Sequence, residues 1–304
     1  MRVGAFLHGI FTIALASALL AEGTTAAAAA PARTADVWQP PPGTSWQWQI
    51  VGAVAPPYRS VQMYDVDLQD AVPSRQRVSV TGFGTVTWEK GDNAGVVAGL
   101  HDAGITVVCY LDSGAWESYR PDADLFPRRV VGHTTGWRGE RWLDLRPRGT
   151  RGFEPIIWAR LRLASRIGCD GVEPDQNNPW GNHPGFPITK AHEKRWYLRV
   201  AAHAHRLGLS VGMKNGVEVI DADTVAAFDW ALDEECFFFH ECGLLRGFVD
   251  AGKAVFQTEY VADWRRRGLD TAGQVADQVC TEARQRGFST LVKRRVPDAR
   301  FVAC

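Results

Sequence analysis

The sequence predicts an α/β protein built as a single (β/α)8 barrel, with a β-hairpin inserted after the second strand. Three observations predict it. Eight short apolar or β-branched runs recur along the chain. Amphipathic stretches of helical length separate the later runs, and three of these stretches end in glycine just before the next run, at Gly168, Gly208 and Gly287, as a helix C-terminus prefers. Repetition of strand, loop, helix, glycine and strand marks a parallel βα array. Eight strands in one domain favour a closed barrel over an open doubly wound sheet, which is the structural alternative.

The 304-residue chain opens with Arg2, an apolar stretch from Val3 to Leu20 and a small-residue tail from Ala26 to Ala30. Residues 1–30 read as a secretory signal peptide rather than a membrane span, because the apolar run stops short of about 20 residues and ends in Ala-x-Ala cleavage sites. Residues 31–44 (PARTADVWQPPPGT) are rich in proline and small residues and read as a linker, leaving 45–304 as the barrel domain. Strands are expected at 46–52, 61–67, 105–112, 170–175, 209–215, 228–234, 254–260 and 289–294. Helices are expected at 153–167, 190–207, 239–251 and 270–286. Two places resist the template. Only about eight residues separate the first two strands, fewer than the dozen a parallel crossover needs. Residues 76–90 (QRVSVTGFGTVTWEK) alternate with period two around Gly82 and Gly84; this is the inserted hairpin, expected near the cleft.

Hydrophobic residues make up 45% of the chain and charged residues 22%, enough apolar surface to exclude disorder except at the ends. Thirty-four basic and thirty-four acidic residues cancel, which deprives a nucleic acid or an anionic membrane of its main attraction. No second apolar run approaches a bilayer's thickness. The expected product is a secreted monomer with no nucleic-acid partner and no membrane partner after signal cleavage. All six cysteines lie beyond the signal segment, and in a secreted chain an even count favours disulfides. Cys236 and Cys242 can close a short loop, Cys304 can fold back on the Cys280 helix, and Cys109 with Cys169 is the remaining pair. A zinc site from Cys236, His240 and Cys242 lacks a fourth ligand at the usual spacing.

In a parallel barrel the working face is the C-terminal end of the strands, and acidic residues collect there. Asp65 and Asp67 end the second strand, Asp112 the third, Glu173 and Asp175 the fourth, Glu234 and Glu235 the sixth, and Glu259 the seventh. Lys214 and Asn215 end the fifth; Trp116, Trp137, Trp142 and Trp180 lie in the loops after the third and fourth. Carboxylates around a cleft with tryptophans suggest sugar chemistry: one carboxyl protonates the leaving oxygen, another attacks or activates water, and indole faces stack on sugar rings. Capping of helix N-termini is the alternative for any single acid. It explains the set poorly, because strand ends supply these acids. No phosphate-cradling loop, Gly-x-Ser-x-Gly elbow or His-Glu-x-x-His pair occurs. His183 lies in the loop that overhangs the proposed site. Asp65 and Asp67 have the oxygen chemistry to hold a divalent cation, but no spacing demands one, and neither metal nor cofactor is expected.

The motifs CYLDSGAWE (109–117), WRGERWLDLR (137–146), GCDGVEPD (168–175), GLSVGMKN (208–215), FDWALDEECFFFHEC (228–242) and AGKAVFQTEY (251–260) resemble glycoside hydrolase family 114, the endo-α-1,4-polygalactosaminidases, in order from about Trp46 to Cys304. The resemblance implies a TIM-type barrel that cleaves α-1,4-linked galactosamine-rich polysaccharide, an amino-sugar polymer, with retention. It puts the catalytic nucleophile at Asp175, the last residue of Gly-Val-Glu-Pro-Asp, and the acid/base at Glu234, from the family's Asn-Glu-x-Cys. Strand parity alone does not choose Glu234 over Glu235; the spacing to Cys236 does. A retaining pair would stand about 5–5.5 Å apart. Substrate contacts are expected from Asp65, Asp67, Tyr110, Asp112, Trp116, Trp142, Asp144, Glu173, Lys214, Asn215, Glu259 and Tyr260. Gln176 and Asp233 stand where the family commonly has Asn, and the extra acid at Asp233 is expected to raise the Glu234 pKa. The competing functions are a glycosidase for another α-linked galactose-type polymer and an inactive carbohydrate-binding barrel. Retention of both carboxyls argues against the latter.

Overall fold

The computed structural model describes residues 37–304; the expected signal peptide, residues 1–30, and residues 31–36 of the expected linker lie outside the described residues. Eight parallel strands pair in chain order: β1 Trp46–Trp48, β2 Met63–Asp67, β3 Thr106–Asp112, β4 Gly171–Asp175, β5 Ser210–Lys214, β6 Trp230–Glu234, β7 Val255–Tyr260 and β8 Phe288–Lys293. The sheet curls until β8 meets β1 through side chains. Trp46 Nε1 donates to the Ser289 carbonyl at 2.8 Å, and Lys293 Nζ donates to Gln47 Oε1 at 3.3 Å. A ninth short strand, Val302–Ala303, runs antiparallel to β8. The protein is thus a (β/α)8 barrel, as the eight runs predict.

Period two sorts the strand residues between two cores. Trp46, Trp48, Met63, Val108, Trp230, Leu232, Phe256 and Leu291 fill the barrel interior, whereas Val66, Val107, Leu111, Val172, Val211 and Val255 pack outward against the helices. Gly212 makes the interior possible: a Cβ there would come within 2.1 Å of the Trp230 ring. The long helices α1 Val96–Asp102, α2 Glu154–Ile167, α3 Lys190–Arg206 and α4 Ala272–Gln285 form the outer layer. Capping boxes at Thr189 and Thr271 start α3 and α4. Gly168, Gly208 and Gly287 all have positive φ, the left-handed conformation for which the sequence placed glycine there.

Several elements depart from expectation. β1 ends at Trp48, so residues 49–62 are free to cross over and the steric objection disappears. The expected helix 239–251 breaks into Cys236–Phe239, the 3-10 turn Cys242–Leu245 and Arg246–Asp250, because His240 is left-handed and a disulfide ties Cys236 to Cys242. The hairpin forms, as Gln76–Val80 and Gly84–Trp88, but not at the cleft. It lies on α2, with Arg162 Nη2 donating to the Ser79 carbonyl at 2.6 Å and Arg166 Nη1 to that of Arg77 at 2.8 Å. A three-stranded antiparallel sheet, Ala115–Glu117, Val131–Thr134 and Glu140–Leu143, occupies the loop after β3; its strands are too short to show period two.

Residues 37–44 do not hang free as a linker. Trp38 stacks on Phe256 at 6.5 Å, Gln39 Nε2 donates to Asp229 at 2.9 Å, and the Pro40 carbonyl accepts from Ala254 at 2.8 Å, so this segment covers the N-terminal ends of β6 and β7. Disulfides join Cys236 to Cys242 and Cys280 to Cys304, the two pairs the sequence suggested, and Cys109 to Cys169, the pair left over; no thiolate remains for a Cys236–His240–Cys242 zinc site. Among the described residues no helix is long and apolar enough to cross a membrane.

Candidate active site

The inward-facing residues at the C-terminal ends of β1 to β7 converge on a cleft of about 380 Å³ lined in part by Trp48, Asp67, Tyr110, Asp175, Asn215, Glu234 and Tyr260. At its floor lies Lys214, with 1% of its side chain exposed. Its Nζ is 2.5 Å from Glu173 Oε1, 3.4 Å from Asp175 Oδ2 and 3.4 Å from Glu234 Oε2. Burial alone would favour loss of the proton, but the charges of Asp175, Glu173 and Glu234 outweigh it and hold Lys214 well above the ordinary lysine value. Glu173 is pushed up to about 7 by burial, against the pull of Lys214, and its other oxygen accepts from Trp48 Nε1 at 2.9 Å. Asp65, wholly buried behind it, is raised well above the usual carboxyl range by burial and then by Glu173. This lower pair supports the lysine from below.

Asp175 and Glu234 are each fixed by a turn that the barrel imposes. Gln176, Asn215 and Glu235, the residues directly after β4, β5 and β6, all take left-handed φ values of 59°, 51° and 69°. Non-glycine residues rarely do so, and such turns concentrate at functional sites. Through its turn, Gln176 N–H donates to Asp175 Oδ1 at 2.7 Å. Tyr110 OH donates to Asp175 Oδ2 at 3.2 Å. The Asp175 carbonyl accepts from Ser113 and Gly114 N–H, both at 3.1 Å, and only glycine allows this approach, since a Cβ on Gly114 would lie 1.8 Å from the Gln176 carbonyl oxygen. Asn215 Nδ2 donates to Glu234 Oε2 at 2.9 Å, and Tyr260 OH donates to Glu234 Oε1.

The expected upward pull of Asp233 on Glu234 is overturned. Burial would raise the Glu234 pKa, but Lys214 foremost, then Tyr260 and Asn215, outweigh it and hold the carboxyl below the ordinary glutamate value. Asp233 alternates to the other face of β6, where burial and then Glu241 and Glu259 raise its own pKa.

Of the residues expected to touch substrate, Asp67, Tyr110, Asn215 and Tyr260 line the cleft. Asp65, Glu173 and Lys214 lie beneath it, and Asp112 is buried behind Tyr110, whose hydroxyl is 3.4 Å from its Oδ1. Four are elsewhere. Trp116 is tied to the Ala123 carbonyl at 3.0 Å, Trp142 is 4% exposed, and Asp144 is held by both Nε and Nη2 of Arg146. Glu259 faces out of the barrel because its parity is opposite to that of Tyr260, and it accepts from Trp264 Nε1 at 2.6 Å. Trp137 lines the cleft, but Trp180 and His183 do not. The sequence reading missed Trp48, Asp70, Tyr119, Arg120, Glu140 and Arg295 as cleft residues. Trp48 was accessible to parity along β1; Glu140 begins a strand too short to show a period, and the others sit on loops, where no period applies.

The sequence pattern of glycoside-hydrolase family GH114 matches residues 27–304. Among solved structures, Ega3 of Aspergillus fumigatus, crystallised in complex with galactosamine, is 29% identical and superposes with a TM-score of 0.74, over 90% of this chain and 100% of that one. The glycoside hydrolase domain of PelA from Pseudomonas aeruginosa is 15% identical with a TM-score of 0.59, over 85% of this chain and 98% of that one, a likeness of fold. No curated protein sequence matches significantly. Because the family pattern runs through the whole barrel, from before β1 to the final cysteine, the chain belongs to glycoside hydrolase family GH114 and is a glycoside hydrolase.

Proposed function

We propose that this glycoside hydrolase is exported and cuts within α-1,4-linked galactosamine-rich polysaccharide by a retaining mechanism, as a monomer. Asp175 attacks the anomeric carbon. Glu234 protonates the leaving oxygen and then activates the water that releases the sugar. The observation that carries this reading is the shared lysine: two carboxylate oxygens, each 3.4 Å from Lys214 Nζ, lie no farther apart than twice that distance. That bound on the two inner oxygens, Asp175 Oδ2 and Glu234 Oε2, accommodates the about 5–5.5 Å of a retaining pair. The galactosamine in the Ega3 complex supports the substrate class, as does a cleft rich in carboxylates on a chain of zero net charge, which concentrates cations without needing a net charge. Three disulfides support export. N-terminal sequencing of exported protein should find a start between about Ala27 and Asp36.

One observation favours a second reading in which the two roles are exchanged. A glutamate held below its ordinary pKa by Lys214, Tyr260 and Asn215 is better prepared to attack than to donate a proton.

Both readings face the same experiment. Deacetylated galactosamine polymer, its N-acetylated form and an α-linked galactose polymer are digested, the products are sized, and the first-formed anomer is read by proton NMR. Internal cleavage of the deacetylated polymer with an α-anomer appearing first is expected. A β-anomer first would remove the retaining mechanism, and cleavage of the galactose polymer alone would remove the substrate assignment.

A further inference from the structure

The zero net charge of the chain conceals a segregation of charge. The cleft gathers carboxylates, whereas the outer wall where the hairpin packs on α2 gathers guanidiniums. Residues 76–88 of the hairpin, 158–168 at the end of α2 and 196–208 at the end of α3 contain no acidic residue and no lysine, yet they carry Arg162, Arg166 and Arg206. Ser165 Oγ donates to the Leu207 carbonyl at 3.1 Å and ties the ends of the two helices together. Elsewhere on the surface arginines meet carboxylates, as in Arg75–Glu89, Arg199–Glu154, Arg246–Asp250 and Arg286–Glu282. Here their partners are neutral. Arg162 Nη2 donates to the Ser79 carbonyl at 2.6 Å, Arg166 Nη1 to that of Arg77 at 2.8 Å, and Arg206 Nη2 to His203 Nδ1 at 2.8 Å. Because a guanidinium can only donate, the proton of the neutral His203 ring sits on Nε2. That ring lies flat on Trp158, with centroids 4.2 Å and planes 4° apart.

The helix dipole accounts for part of this. Arg166 and Arg206 stand in last turns, where a cation complements the carbonyl ends. Arg162 stands a turn farther in, where that effect has fallen off. Burial and then Arg166 lower the Arg162 pKa, and burial, then Arg206 and Arg162, lower His203 to about 4. Each cation is therefore destabilised by the next. An anion would relieve the crowding, and the donor set selects its chemistry. The cations are arginines, whose planar forks grip the oxygens of a phosphate in pairs, where lysine offers a point charge. Arg162 and Arg166 lie one turn apart, about 6 Å, and packed helix axes stand about 8–10 Å apart. A single phosphate reaches part of this surface; a chain carrying several reaches all of it.

We propose that the hairpin face of the barrel, through Arg162, Arg166, His203 and Arg206, docks the protein on an anionic polymer that bears repeated phosphate groups. The inference goes beyond the hydrolysis proposed above and does not depend on which sugar the cleft accepts. A cleft rich in carboxylates repels such a polymer and the guanidinium face repels a cationic one, so the two faces serve different polymers. Docked in this way, the protein stands where a cationic polysaccharide adheres to the same phosphates.

Binding of poly(glycerol phosphate), inorganic phosphate, polygalacturonate and duplex DNA to the full chain tests this, read by titration calorimetry and by the His203 ring resonances, assigned by their loss in His203→Gln. Affinity for the phosphate polymer should fall about fourfold for each doubling of salt, as three neutralised phosphates require. The His203 pKa should rise by about one unit or more on binding. Arg162→Gln with Arg166→Gln should weaken binding at least about tenfold. Arg206→Gln, whose guanidinium holds no backbone carbonyl, should weaken it at least about threefold, and it reports even if the α2 pair disturbs the hairpin. Affinity that survives both sets of substitutions, or a His203 titration that does not move, would overturn the docking face. Polygalacturonate bound as tightly would remove the phosphate assignment, DNA bound more tightly would make this a nucleic-acid surface, and inorganic phosphate bound as tightly would reduce it to an ion site. Each of these also overturns the proposal.

Discussion

Asn215 and Glu234 hold each other through two hydrogen bonds: Asn215 Nδ2 donates to Glu234 Oε2 at 2.9 Å, and the backbone N–H of Glu234 donates to Asn215 Oδ1 at 3.0 Å. The left-handed turn at Asn215 makes this embrace possible, and asparagine tolerates that conformation better than most residues. Asn215→Ala should lower kcat/KM by about tenfold or more, one charge-assisted bond being worth about 1.5–3 kcal/mol. Asn215→Asp puts a negative charge against Glu234, so the limb of the pH–rate profile that Glu234 sets should move to higher pH: the alkaline limb if Glu234 is the proton donor, the acid limb if the roles are exchanged. An unmoved limb would detach Asn215 from the ionisation of Glu234.

Asp175→Asn should abolish turnover of every substrate while the fold survives, because an amide cannot form the glycosyl-enzyme ester. Glu234→Gln should spare substrates with good leaving groups, which need little protonation, and azide should partly restore their turnover in place of the missing base. The reverse pattern, with azide rescuing Asp175→Asn and giving a glycosyl azide of retained configuration, would establish the exchanged roles; an azide of inverted configuration would keep Asp175 as the nucleophile.

Stability should be greatest in mildly acidic solution. Burial leads the causes that raise Glu140 to about 7, Glu193 to about 8 and Glu259 to about 7, from an ordinary 4.5. Between pH 4.5 and about 8 the folded chain therefore holds protons that the unfolded chain has lost, so stability falls as pH rises through that window. The melting temperature should peak near pH 5 and drop by several degrees by pH 8 (about 2–4 °C per kcal/mol for a domain near this size). Lys293, lowered to about 8 by burial, acts oppositely, but only above that pH. Glu259→Gln keeps an acceptor for Trp264 and should flatten part of the fall. A melting temperature that rises steadily to pH 8 would contradict the burial of these acids.

Disulfide removal should rank by the loop each bridge closes. Sequence separations of 60, 24 and 6 correspond to about 4, about 3.5 and about 2 kcal/mol from chain entropy. Serine pairs replacing Cys109–Cys169, Cys280–Cys304 and Cys236–Cys242 should lose stability in that order in urea titrations. The last pair should lose activity out of proportion to its stability, because its bridge starts two residues after Glu234. Equal activity in all three variants would show that the Glu234 turn needs no such anchor.

Local periodicity determined what the sequence alone could yield. Side chains two apart on a strand share a face whatever surrounds them, so Asp175, Lys214, Glu234 and Tyr260 could be placed at the strand ends before any fold was seen. Glycine at Gly168, Gly208 and Gly287 marked helix ends because its backbone freedom is intrinsic. The same parity separates Glu259 from Tyr260, a distinction the sequence reading passed over. Residues that depend on where separate loops meet were decided only by the tertiary structure. Glu140 reaches the cleft because three strands too short to show periodicity assemble after β3, and Arg120 is committed to Asp67 and Glu117 by packing across 53 positions and three positions at once. The direction of the Glu234 pKa belongs to the same class. Asp233 is its neighbour in sequence, but Lys214, Tyr260 and Asn215 are its neighbours in space, and electrostatic work depends on distance through space, not on separation along the chain.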